Sequence, residues 1–213
     1  MPYTRVNIRA ALRHLRTADP VMREIIRRVG PFELRVQPDR FGSLVRSILA
    51  QQISGSAARS IRRRLEGAIA PSKLSPEAIA RLHPDDLRAA GVSPQKAGYL
   101  RDLATKTLDG RVRLRTIGRL SDEEVIGQLT QVKGIGRWTA QMFLIFSLGR
   151  LDVFPHEDLG VRAAIRRFYG LRELPDKERS LRIAAPWSPY ASVASWYCWR
   201  GCELPETSGR TAR

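Results

Sequence analysis

Apolar residues recur at intervals of three and four in most windows of this chain, and no segment rich in Thr, Val and Ile alternates with period two. The pattern predicts an all-α protein. A first helix pair spans about Val6 to Arg28, and Gly30-Pro31 and Pro38 break the periodicity before a long helix from about Phe41 to Ala68. Leu44, Val45, Ile48 and Leu49 of that helix face a core. Short helices follow near Pro76 to Leu82 and Pro84 to Ala90, each with proline in the first turn, where its missing N–H costs no hydrogen bond. After Gly91, Ser93-Pro94 opens a helix running through Lys96, Tyr99, Leu100 and Leu103 to about Leu108, and Arg111 to Arg119 is a basic connector without strong pattern. Ser121 and Glu124 form a capping box, so a further helix starts there and carries Val125, Ile126 and Leu129. Asp158, or Glu157 beside it, reads as the N-cap of a helix from Leu159 to Phe168.

Composition narrows what such a helical protein does. The 213 residues are 43% hydrophobic and 27% charged, enough for a real core and unlike a disordered chain or a membrane protein. Lys plus Arg number 37 against 21 Asp plus Glu, and the net charge of +16 points to a polyanionic partner. Only five of the 37 are lysine (Lys73, Lys96, Lys106, Lys133 and Lys177), and the arginine excess suits bidentate phosphate contacts, although a GC-rich genome produces the same bias. The amino terminus is charged throughout and has no apolar stretch before a small-residue cleavage site, which predicts a cytoplasmic, nucleoid-associated protein without a membrane partner. Cys198 and Cys202 lie four apart with no His nearby, too few ligands for zinc or an iron-sulfur cluster, and read as packing residues.

The segment richest in chemistry is Val132-Lys133-Gly134-Ile135-Gly136, two glycines around one apolar residue, followed by a helix through Trp138, Thr139, Met142, Phe143 and Phe146. A bare Gly-x-Gly is an ordinary turn between helices. Here Leu129, Val132, Ile135 and Ala140 also sit where such a hairpin packs its own small core, and free N–H groups at a helix start make an anion site for a DNA phosphate.

The stretch LTQVKGIGRWTAQMF, with DVFPHEDLGVRAAI after a short gap, resembles the helix-hairpin-helix superfamily of base-excision DNA glycosylases. RSILAQQIS at Arg46 to Ser54 and WSPYASVASWYCWRG at Trp187 to Gly201 are similar to its 3-methyladenine DNA glycosylase II branch, and the likeness covers about residues 10 to 202. It implies two helical subdomains with a cleft between them and no amino-terminal β-domain. Residues 1–40 would pack with a lobe of residues 152–202, residues 41–151 would form a central bundle carrying wedge and hairpin, and residues 203–213 would be a loose tail.

The same resemblance implies a function and roles. The protein would be a monomer that flips a damaged base from double-stranded DNA and hydrolyses the N-glycosidic bond of alkylated purines, first 3-methyladenine. Asp158 takes the place of the catalytic carboxylate that stabilises the oxocarbenium or orients water. Trp138 and Trp196 match the pocket tryptophans; Met142 stands where relatives carry an aromatic, which implies a more open pocket, while Tyr197, Trp187 and Trp199 read as structural or peripheral. Gln52, with Gln51, matches the wedge. Gly134, Gly136, Thr139 and Lys133 would bind the phosphate, and the carbonyls of Thr130, Val132 and Ile135 would hold Na+ or K+, with no other cofactor required. Bifunctional relatives place a lysine nucleophile where this chain has Trp138, so no lyase step is expected. A glycosylase for deaminated, etheno or oxidised bases, and a helix-hairpin-helix protein that only binds DNA, are the alternatives.

Overall fold

The computed structural model describes residues 3–205, and among these there are helices and loops but no strand. The chain divides into two units, residues 1–36 with 149–213 and residues 37–148.

The first unit holds α1 (Arg5–Ala18) and α2 (Pro20–Val29) from the amino-terminal segment. Its core is built from Leu15, Met22, Ile25, Val161, Ile165 and Trp187, all fully buried. The knot of this core is polar. Asp19 is the N-cap of α2, one carboxylate oxygen accepting the N–H groups of Val21 and Met22 at 2.8 and 3.0 Å. Its other oxygen accepts the Trp187 indole N–H at 2.9 Å and the Tyr169 hydroxyl. A buried carboxylate is tolerated only with its lone pairs occupied, as here.

The second unit runs through α3 (Arg40–Ala50), α4 (Gly55–Ile69), α5 (Pro76–Arg81), α6 (Pro84–Ala89), α7 (Pro94–Leu108), α8 (Asp122–Leu129) and α9 (Arg137–Phe143), which continues into a π-helical turn at Leu144–Leu148. The capping box of α8 forms as its residues dictate, with the Ser121 N–H on Glu124 and the Glu124 N–H on the Ser121 hydroxyl. Returning to the first unit, α10 (Leu159–Phe168), α11 (Lys177–Ala184) and α12 (Ala191–Cys202) complete the chain.

Three expectations need correction. The single helix from Phe41 to Ala68 is two helices, broken at Gln51–Ser54, where Gln51 leaves helical geometry (φ −58°, ψ 130°) and Ser54 caps α4 through the Ala57 N–H. Apolar periodicity reports a buried face, and both helices bury one, so the pattern runs on across a break in the backbone. The Arg111 to Arg119 connector, patternless in sequence, buries Val112, Leu114 and Ile117 and ends in a 3₁₀ turn at Ile117–Arg119. Of the two cysteines only Cys198 is a packing residue, its thiol pushed far up by burial; Cys202 is exposed. Most of the expected loose tail, residues 206–213, lies outside the described residues, but the carbonyls of Leu204 and Pro205 accept bonds from Arg167 at 2.9 and 2.7 Å.

Candidate active site and nucleic-acid interface

The hairpin between α8 and α9 is held from behind by α7. Gly134 has φ +81°, and a Cβ there would stand 2.2 Å from a ring carbon of Tyr99, so both conformation and the close aromatic demand glycine. Asp102, one turn further along α7, accepts the Lys133 backbone N–H at 2.8 Å and the Lys106 ammonium at 2.7 Å, and Lys106 also donates to the Gln131 carbonyl. Burial raises the Asp102 carboxyl pKa, but the bonds from Lys106 and the Lys133 N–H outweigh it and hold the group below its ordinary value.

These contacts sort the hairpin amides. Val132 and Ile135 donate to Leu129 and Val132 carbonyls and Lys133 to Asp102. The N–H groups of Gly134 and Gly136 have no partner among the described residues, and nothing lies within 4 Å of a Cβ built on Gly136. Gly136 is extended (φ −92°, ψ 177°) and caps α9 without a side chain, so its value is the access it leaves to its amide. Lys133 keeps only its exposed side chain for a phosphate. Thr139, assigned to the phosphate from sequence, is buried and is among the residues lining a cavity beside α3.

The turn between α3 and α4 presents Gln52, exposed and with φ +56°, the one non-glycine residue among those described in the left-handed region. A side chain there costs about 1–2 kcal/mol relative to an ordinary conformation. Gln51, paired with it as wedge in the sequence reading, points elsewhere: its amide donates to the Gly134 carbonyl at 2.8 Å.

Trp138 is 43% exposed on the first turn of α9, a large apolar surface of the kind that marks a binding face. One turn on, half-buried Met142 lines a cavity of about 320 Å³ with Leu44, Arg46, Thr139, Phe143 and Phe146. Arg46 is anchored at its edge by bonds to Gln37 and to the Ser43 hydroxyl. In the first unit Trp196 is buried, its ring centroid 4.7 Å from that of Phe32 with the rings tilted by 60°, and 4.9 Å from that of Tyr197 with the rings nearly perpendicular. Trp187 and Tyr197 are core residues, the Tyr197 hydroxyl donating to the Gly30 carbonyl and pushed up to about 12 by burial.

Asp158 is the N-cap of α10 and 8% exposed. Its Oδ1 accepts the Val161 N–H and the Trp199 indole N–H, each at 2.8 Å. Trp199 comes this close because residue 160 is glycine: a Cβ there would lie 3.0 Å from the indole and 3.2 Å from Oδ1. The loop before Asp158 is pinned to the start of α12, with Asp152 accepting the Ser188 hydroxyl and the Ala191 N–H and the Val153 N–H donating to the Ser192 hydroxyl. Two donors on one oxygen at a helix N-terminus fix the orientation of the carboxyl group, which suits a role beside a developing positive charge.

Residues 45–189 match the family model of the HhH-GPD superfamily of base excision DNA repair proteins. The chain belongs to this superfamily. Among HhH-GPD relatives, DNA-3-methyladenine glycosylase 1 of Schizosaccharomyces pombe is 33% identical over 198 residues, 91% of this chain and 87% of that protein. The solved structure of the S. pombe 3-methyladenine DNA glycosylase in complex with abasic DNA superposes with a TM-score of 0.83, covering 92% of this chain and 97% of that one at 33% identity. A DNA-3-methyladenine glycosidase from Bacillus halodurans gives 0.82 at 36% identity over 89% of this chain and 88% of its own.

Sequence reasoning missed the parts played by Trp199, Asp102 and Lys96. Trp199 carried a signal, since it lies one helical turn beyond Trp196, but nothing local says that its indole reaches a residue 41 positions away. Asp102 and Lys106 read as an ordinary i, i+4 surface pair.

Proposed function

We propose that this HhH-GPD protein is a monofunctional DNA glycosylase that releases alkylated purines, 3-methyladenine first, from double-stranded DNA by base flipping. The observation that carries the reading is the buried Asp158 carboxylate, oriented by Val161 and Trp199, in a chain whose relatives bear the name 3-methyladenine glycosylase. Departure of a cationic base leaves positive charge on the sugar, and a fixed carboxylate stabilises that transition state and orients the attacking water. Extruding the base costs a few kcal/mol, which the exposed Trp138 face and filling of the vacated stack by Gln52 would offset. The Gly134 and Gly136 amides, with the Lys133 side chain, would take a backbone phosphate. The carbonyls of Thr130, Val132 and Ile135 are neutral oxygen donors, a set that fits a monovalent cation such as Na+ or K+ better than a transition metal, and such an ion would add positive charge beside the phosphate. Trp138 at the position of the relatives' nucleophilic lysine supports the absence of a lyase step. The protein is taken as a monomer on the nucleoid.

The test is base release by chromatography from methylated duplex DNA, followed by strand nicking without alkali. Release of 3-methyladenine without nicking is expected, and Asp158→Asn should lower it by at least about 100-fold with DNA binding retained; turnover close to wild type in that variant would end the role of Asp158, and nicking would end the monofunctional reading. Arg46 favours a second reading, because it lines the Met142 cavity and its guanidinium can donate to the carbonyl of a deaminated base, while its ion pair with Asp39 offsets only part of the charge that a cationic base would meet. Hypoxanthine duplexes in the same assay separate the two.

A further inference from the structure

Lys96 is a charge that the proposed chemistry does not use. It lies in the first turn of α7, where Ser93 caps its backbone N–H, and a cation at that end opposes the dipole of its own helix. Its ammonium instead donates to the carbonyls of Leu49 and Gln51, both at 2.7 Å, at the carboxyl end of α3, where a cation is favourable. Among the described residues no carboxylate pairs with it there. Those two carbonyls belong to the point where the chain leaves α3 and enters the left-handed turn at Gln52. From the same residue, the Gln51 amide reaches 83 positions along the chain to the Gly134 carbonyl in the hairpin. Tyr99, also on α7, packs on Gly134 from behind.

We propose that Lys96 and Gln51 are positioning residues that join the Gln52 turn to the hairpin as one rigid brace, so that gripping the phosphate and inserting the plug occur together. This rests on the base-flipping reading above. The physical case is that Gln52 holds a strained conformation on a four-residue turn, which persists only where neighbouring bonds over-determine it. Lys96 fixes the turn's carbonyls, Gln51 fixes its side relative to the phosphate site, and Gln52 is left free of both to project outward. Without the brace the hairpin still binds DNA, but the plug relaxes and a paired base is harder to displace.

The experiment compares single-turnover base release from two duplexes, one with the lesion paired and one with it opposite a stable abasic analogue, where there is no partner to break. Lys96→Met should lower release from the paired duplex about tenfold or more while changing the unpaired one much less. Gln51→Leu keeps the ammonium, should act in the same direction, and tests the brace should Lys96→Met fail to fold. Combined, the two changes should cost less than the product of their separate effects. Equal losses on both duplexes, or none on either, would overturn the proposal. If the wild type released no base from either duplex, the glycosylase reading would fail by itself. The brace is then read from 2-aminopurine fluorescence opposite the abasic analogue, which must rise on binding of wild type and less with either variant.

Discussion

Two glycines two positions apart make opposite demands. Gly134 needs its left-handed conformation and its contact with Tyr99, so Gly134→Ala should destabilise the protein by at least about 2 kcal/mol, seen as a lower denaturation midpoint. Gly136 needs neither, and Gly136→Ala should fold as wild type yet bind duplex DNA about tenfold more weakly if its amide takes a phosphate as proposed, because the new methyl would crowd that approach. Equal affinity in a calorimetric titration would remove Gly136 from the interface. At the carboxylate, Trp199→Phe keeps the ring and deletes one donor to Asp158. Single-turnover base release should fall about tenfold with DNA affinity unchanged, and an unaltered rate would show that the Trp199 bond does not orient the group.

At the scale of elements, α7 is the part that organises the hairpin and the Gln52 turn of its unit. It supplies Lys96 to the turn after α3, and Tyr99, Asp102 and Lys106 to the hairpin, all from one face at helical spacing. Asp102 has its carboxyl pKa held below the ordinary value of about 3.9, so the stability it contributes is present above that pH and is lost as pH falls through the lowered folded value. Asp102→Asn should therefore lower the melting temperature at neutral pH, and the difference from wild type should shrink in the acid range below about pH 4. A constant difference from neutral to acid pH would mean that the carboxylate charge does not support the hairpin.

For the whole molecule the dominant quantity is charge. A net +16 creates a field that attracts any duplex, so binding must weaken steeply with salt. A plot of log affinity against log salt should fall with a slope steeper than about −3, and Lys133→Ala should flatten it by about one unit, since its exposed ammonium would neutralise one phosphate while its N–H stays on Asp102. An unchanged slope would place Lys133 off the DNA backbone. This field is sequence-independent and would serve search; it does not distinguish a lesion from an ordinary base. Among the described residues no helix is long and apolar enough to cross a membrane.

The sequence by itself determined what depends on neighbours in the chain. Helical class, the caps at Ser93 and Ser121, a cap at Glu157 or Asp158, the hairpin glycines and the charge excess follow from local sterics, 3.6-residue periodicity and composition. Only the tertiary structure decided where Gln51 points, that the helix begun at Arg40 stops at Ala50, that Asp102 and Lys96 serve the hairpin and the turn, and that Trp199 orients Asp158. These are contacts spanning 31 to 83 positions, made by side chains whose sequence context is that of ordinary surface or core residues. A hydrogen bond is short-ranged, so its partner is chosen by the packing that brings two elements together, and no periodicity within either element records that choice.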